Sequence, residues 1–212
     1  MRKIFIWTLI VLGVGGIIFG LAKFAGSPAS LKTILPVDAP AISDWTKGGK
    51  DAKVILVEYS DFQCPACGAY YSVTKQLVEE FGGNIAFIYR HFPLRQIHQN
   101  AELAARAAES AGKQGKFWEI HDIIFENQEE WSSQRNAEEF FERYAKSLDL
   151  NMEKFKSDLV SKEIKDEVAA DYQSGLLFKV NATPTFFLNG EKLQNPRNYE
   201  EFKSLIQAAI SQ

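Results

Sequence analysis

Cys64-Pro65-Ala66-Cys67 is the stretch that most narrows what this chain can become. These are the only two cysteines in 212 residues. Two are too few for a disulfide scaffold, and their spacing makes either a redox pair or half a metal site. They follow Val54-Ile55-Leu56-Val57, a continuous apolar run that reads as a strand buried on both faces. A helix is expected from Pro65 onward, because proline at the first helical position loses nothing by lacking an N–H. Cys64 then falls at the N-cap, where its sulfur faces unpaired backbone N–H groups and the positive end of the helix dipole. Both favour thiolate over thiol, and the thiolate is the reactive species.

The rest of the chain is ordered around that unit. The first strand is expected at Lys53–Tyr59, the helix at about 65–81 with Gly82-Gly83 ending it, and a second strand at Asn84–Phe92. A strand, a crossover helix and a strand make a βαβ unit with parallel strands. Residues 97–178 read as helical almost throughout: an Ala-rich segment at 101–111, then Lys116–Asn127, Asn136–Ser147, a start capped at Asn151, and a longer helix over 160–178. Strands resume at Thr183–Leu188. Asn189-Gly190 is a two-residue hairpin signal, Glu191-Lys192-Leu193 starts the return strand, and Tyr199–Ile210 closes the chain as an amphipathic helix. The order is βαβ, helical block, ββα.

Residues 4–22 carry no charge, with Arg2 and Lys3 before them and Lys23 after. A membrane-spanning helix needs about 20 such residues, whereas the apolar part of a cleaved signal is about 7–15. The expectation is an uncleaved anchor over 1–25, with a cleaved signal as its rival. Either way the positive end stays inside and the remainder is exported, which puts the chain at the cell or inner membrane with its body on the extracytoplasmic side. Residues 26–50, with Pro28, Pro36, Pro40, Gly48 and Gly49, read as a tether in which Trp45 is the first residue to dock. The net charge is −3 although the first 30 residues hold only basic charges. The body is therefore acidic, which argues against nucleic acid as a partner.

Several side chains have two readings on the residues alone. Zinc normally takes four ligands. Beyond the cysteines only His91, His98 and His121 remain, none at finger spacing, so no metal is expected. His91 reads as a strand-end packing residue, His98 and His121 as helix-surface or cap residues, and Trp118 and Trp131 as core or groove residues. Glu58 ends an apolar strand, where a carboxylate is costly to bury unpaired; it is either a solvated strand end or a buried acid. Pro184 is either an ordinary trans proline at a strand edge or a cis one.

Three stretches in this order carry a resemblance: Val57-Glu58-Tyr59-Ser60-Asp61-Phe62-Gln63-Cys64-Pro65-Ala66-Cys67, Arg90-His91-Phe92-Pro93-Leu94, and Thr183-Pro184-Thr185-Phe186. Over about residues 40–212 the chain resembles the DsbA-like thiol:disulfide oxidoreductases of the membrane-tethered bacterial type. The resemblance implies an α/β thioredoxin fold with an inserted helical block at about 97–178 of a domain spanning 51–212. It implies that Cys64 is an exposed nucleophile, that Cys67 is the buried resolving cysteine, and that Thr183 and Pro184 form a cis-proline loop where substrate docks. Glu58, six residues before the first cysteine, matches the buried acid that serves proton transfer in thioredoxins. The implied function is donation of the Cys64–Cys67 disulfide to exported cysteine-containing proteins, followed by reoxidation by a quinone-linked membrane partner. The cysteine pair is itself the redox centre, so no bound cofactor is needed. Two alternatives stand beside this reading: a reductase or isomerase, and a non-catalytic holdase or metallochaperone built on the same fold.

Overall fold

The two most continuously apolar strands lie at the centre of one mixed sheet. The computed structural model describes residues 36–41, 43–49 and 51–212. Its strands are β1 (Trp45–Gly48), β2 (Val54–Ser60), β3 (Ile85–His91), β4 (Thr185–Leu188) and β5 (Glu191–Lys192), in the order β1-β3-β2-β4-β5. β2 and β3 are parallel, as the crossover helix between them requires; the other pairs are antiparallel. That helix, α1 (Pro65–Phe81), begins at the proline, and Gly82 follows its last residue. The Asn189-Gly190 turn is made as its sequence demands, with φ of 47° and 84°.

The inserted block is helical, as its periodicity implies: α2 (Ala101–Gly112), α3 (Phe117–Glu126), the short α4 (Gln128–Trp131), α5 (Ala137–Ser147), α6 (Met152–Val160) and α7 (Lys162–Leu177). α2 is its axis. Ala101, Ala104, Ala105, Ala107, Ala108 and Ala111 are all buried, and their small side chains let neighbouring helices approach closely. Asn151 caps α6 by accepting from Lys154 N–H at 2.9 Å. Asn136 stands at the N-cap of α5, but its side chain bonds Glu139 and caps no N–H. The chain closes with α8 (Tyr199–Ile210).

Alternation along the strands sorts the core into two layers. Val54, Leu56, Ile85, Phe87, Tyr89 and Phe186 face α1, α8 and the inserted helices in one continuous cluster that also holds both cysteines. Val57, Tyr59, Ile88 and Phe187 face the other way and pack with Val37, Phe92 and Val180. Gly175 explains a glycine inside α7: a Cβ there would lie 2.6 Å from the Phe92 ring and 3.1 Å from Tyr59.

The tether reading of residues 26–50 needs correction at its end. Residues 45–48 are an edge strand paired to β3, and Trp45 stacks on Phe117 at 4.5 Å while its Nε1 donates to Glu109 at 2.7 Å. The preceding segment is fixed too. Arg90, buried on the second face, makes a two-pronged pair with Asp44 at 2.7 and 2.9 Å and donates to the carbonyls of Val37 and Ala39. The expected anchor at 1–25 lies outside the described residues. Among the described residues no helix is long and apolar enough to cross a membrane.

Asp44 is nearly inaccessible in this pair, and removing one partner strands the other charge in a dry site. Asp44→Ala is expected to lower the unfolding free energy by about 3 kcal/mol, read by urea denaturation followed by circular dichroism. A loss below about 1 kcal/mol, the range of exposed ion pairs, would show that Arg90 finds water instead.

Candidate active site

The two cysteines open α1 on the cluster-facing side of the sheet. Cys64 is the N-cap, with φ −71° and ψ 120°, and Pro65 is the first helical residue. Cys67, one turn further on, is fully buried, while Cys64 keeps 7% of its surface. The expected exposed cysteine is thus nearly covered. The loop before β4 does the covering: the Cys64 thiol donates to the Thr183 carbonyl at 3.4 Å. The Thr183–Pro184 bond is cis. That loop is tied in place by Asn195 Nδ2 on the Pro184 carbonyl and by Thr185 Oγ1 on the Ala182 carbonyl, both at 2.8 Å.

The two sulfurs sit in opposed environments. Cys64 is lowered to about 5, chiefly by the hydrogen bond it shares with the Cys67 side chain, against the opposing effect of partial burial; the Thr183 side-chain hydroxyl and the backbone N–H groups of Cys67 and Ala66 act in the same sense as the thiol–thiol bond. No backbone N–H closes a full cap hydrogen bond on it, and the helix start adds less than the thiol–thiol bond. Cys67 goes the other way. Burial pushes its thiol well up, and the shared bond with Cys64 and the nearby Glu58 carboxylate add to the rise. One of the pair is a ready thiolate and the other a retained thiol.

Glu58 is resolved in favour of the buried acid. It is 3% exposed, on the same face of β2 as Ser60, with Tyr89 and Phe186 as its neighbours on the flanking strands. Burial raises its pKa from 4.5 to about 7, and Ser60 Oγ–H, which donates to its Oε1 at 2.7 Å, holds the rise back. A carboxyl so poised carries its proton about half the time at neutral pH. Glu58, Cys64, Cys67, Thr183 and Pro184 are therefore brought together, as the resemblance implies.

Other polar residues at the site had no clear signature in the sequence. The Asp61 carboxylate is buried and accepts from the N–H groups of Gln63 and Leu94 at 2.7 and 2.8 Å and meets His98 Nδ1 at 2.7 Å. Its own N–H approaches Cys67 Sγ at 3.5 Å. His98 is thus a loop anchor and not a surface residue. His121 is likewise buried, packed edge-on against Tyr89 and Phe125 and bonded to Asp122, with burial lowering its pKa. His91 is the packing residue expected at a strand end, with Nε2 on Glu109 at 2.9 Å. Trp131 is core and Trp118 half-buried. Among the described residues no three His, Cys, Asp or Glu side chains gather to hold a metal ion.

The thioredoxin family model matches residues 41–208. The chain belongs to the thioredoxin family. Within it the chain is DsbA-like: it superimposes on oxidised BdbD from Bacillus subtilis with a TM-score of 0.72, 26% identity, and coverage of 82% of this chain and 96% of that one. The thioredoxin fold is shared with α-DsbA1 from Wolbachia pipientis (TM-score 0.73, 21% identity, 81% and 93% covered). It is shared also with the catalytic domain of Proteus mirabilis ScsC (TM-score 0.69, 18% identity, 82% and 93% covered). Curated relatives include Na(+)/H(+) antiporter NhaA 3 of Salinispora tropica, 34% identical over 90% of this chain but only 28% of that protein. Another is Na(+)/H(+) antiporter NhaA of Herminiimonas arsenicoxydans, 33% identical over 92% of this chain and 31% of that protein. This thioredoxin-family chain spans under a third of the length of these relatives.

Two titrations check the electrostatics. Thiolate absorbance at 240 nm should rise with a midpoint near pH 5 and alkylation should map to Cys64; a midpoint above 8 contradicts the asymmetry. Glu58 gives a stability test with a defined sign. Its folded pKa of about 7 lies above its unfolded value, so the native state holds the proton more tightly and loses stability as pH rises from about 4.5 to 7. Glu58→Gln removes that loss. The variant should unfold at the same urea concentration as the parent at pH 4, and be more stable by roughly 3 kcal/mol at pH 8.

Proposed function

We propose that this chain is an exported, membrane-anchored thiol:disulfide oxidoreductase that donates a Cys64–Cys67 disulfide to folding exported proteins. The observation that carries the reading is the asymmetry of the pair: a sulfur lowered to about 5 at the helix start beside one that is sealed and raised. Their place in a fold shared with thiol-disulfide exchange proteins supports it.

The cycle begins with the pair oxidised. A client thiolate attacks Sγ of Cys64; the new S–S bond forms as the Cys64–Cys67 bond breaks, and the electron pair leaves on Cys67. That sulfur has a raised pKa and is a poor leaving group unless protonated. Glu58, with its pKa about 7, is near enough to supply the proton. A second client thiolate then attacks the client sulfur of the mixed disulfide and releases Cys64, which leaves readily because its thiolate is stabilised. The client has lost two electrons and two protons; the enzyme has gained the electrons as a dithiol. Client segments dock against the Thr183–Pro184 loop, whose backbone faces the reacting sulfur, in the manner of an added strand.

A stabilised Cys64 thiolate stabilises the reduced enzyme, which makes its disulfide an oxidant. That direction distinguishes the reading from a reductase or isomerase. The uncharged run at 4–22 supports export and anchoring, and the anchor would place the enzyme beside a quinone-linked partner that restores the disulfide. The antiport activity named for the curated relatives belongs to proteins of which the matched segment is under a third, and none of it is carried over.

The equilibrium of the Cys64–Cys67 pair with glutathione decides the direction. A potential well above that of thioredoxin, about −270 mV, is expected; one equally reducing sinks the oxidase reading. Cys67→Ala should accumulate mixed disulfides with exported proteins through Cys64, recovered on non-reducing gels and released by dithiothreitol. Client binding that persists with no covalent adduct would favour the holdase reading.

A further inference from the structure

The first turn of α1 is fastened from the inserted helices, and Gln128 of α4 reaches the main chain of the cysteine itself. Its Nε2 donates to the carbonyl of Phe62 at 2.6 Å and to the carbonyl of Cys64 at 3.0 Å. The Cys64 carbonyl is also the first acceptor of the helix, taking the Gly68 N–H at 3.1 Å. The peptide that opens α1 is therefore pinned on both sides. Its orientation decides where the N–H groups of Ala66 and Cys67 aim, and those groups favour the Cys64 thiolate. Gly68 lies against the same carboxamide: a Cβ there would stand 2.7 Å from Gln128 Oε1 and 3.3 Å from Nε2. Two further amide bonds hold this turn, Gln63 Nε2 on the Ser132 carbonyl and Asn100 N–H on Gln63 Oε1, both at 2.7 Å, but they grip the Gln63 side chain.

We propose that Gln128 is a positioning residue for Cys64. Acting from the helical insertion, it orients the opening peptide of α1 and so sets the thiolate stability and redox potential of the pair. Two effects run in the same direction. The amide holds the 62–64 backbone in the geometry that presents N–H groups to the sulfur. It also places donor hydrogens on two carbonyl oxygens whose negative ends would otherwise disfavour a thiolate nearby. Gly68 is the complement: it leaves the room that the carboxamide occupies. The functional meaning rests on the oxidoreductase reading above; the effect on the sulfur does not.

The test uses the full chain with Gln128→Ala, Gln128→Glu and Gly68→Ala. In Gln128→Ala the midpoint of the 240 nm thiolate titration should rise by roughly half to one pH unit, the range of one hydrogen bond's net contribution. The glutathione equilibrium should move toward a less oxidising disulfide. Gln128→Glu keeps the size but sets an acceptor against two acceptors, and should shift both readouts further. Gly68→Ala should displace the carboxamide and reproduce the Gln128→Ala shift with Gln128 retained. Alanine suits a helix interior, so this variant carries the test even if Gln128→Ala fails to fold. The double variant should shift no further than either single one. Folded variants whose unfolding free energy changes while midpoint and potential stay at the parent values overturn the proposal. The titration needs no client: a shifted midpoint in a protein that oxidises nothing sinks the oxidase reading alone, and an unmoved midpoint in an active oxidase sinks the positioning role alone.

Discussion

Cys67 and Glu58 lie close together on a face of the sheet that water does not reach. The opposed behaviour of the two sulfurs depends on this burial. A buried carboxyl and a buried thiol each resist ionisation, and the Glu58 carboxylate raises the pKa of the Cys67 thiol further. Negative charge that enters the pair is therefore driven to Cys64, which has the helix start and a partial opening to solvent and whose thiolate the shared hydrogen bond favours. The aromatic neighbours of Glu58, Tyr89 on one side and Phe186 on the other, follow from strand register. The chemistry is thus an outcome of sheet packing as much as of the two cysteines.

The inserted helices do more than cover that face. Their contacts to the site pair side-chain amides with backbone: Gln128 Nε2 on the carbonyls of Phe62 and Cys64, and the Gln63 carboxamide on the Ser132 carbonyl and the Asn100 N–H. Asn100 extends the same work inward, donating to the carbonyls of Trp131, Ser132 and Gln134 where α4 ends. Neutral amides suit a half-buried junction because they satisfy orphan carbonyls without bringing a charge near the thiolate. The opposite face of the sheet uses charge instead. Arg90 and Asp44, fully paired, bind the segment before β1 to the back of the central strands. That pair faces away from the cysteines, so the segment is held without affecting the sulfurs.

Much of this arrangement could be read from residue order. The α1 boundaries follow from Pro65 and Gly82, the hairpin from Asn189-Gly190, and the parallel pairing of β2 and β3 from one intervening helix, because each is a local constraint of backbone geometry. β1 could not be read in this way. Trp45-Thr46-Lys47-Gly48 alternates for only four residues among prolines and glycines, and what makes it a strand is β3, some forty residues away. Asn136 shows the limit of cap rules: it sits at the right position, yet its side chain goes to Glu139. His98 and His121, polar residues near helices, read as surface; His98 proved half-buried because Asp61 claims it, and His121 buried in an aromatic cage.

The sequence by itself determined the reactive pair, its place at a helix start, the order of strands around a helical block, and the family, since spacing and periodicity act within a few residues. Tertiary structure decided the electrostatics. Whether Glu58 is wet or dry, which sulfur is sealed, and whether Gln128 meets the carbonyl of Cys64 depend on neighbours distant in the chain. Desolvation and hydrogen bonding are properties of where groups come to rest, and no local pattern of residues encodes them.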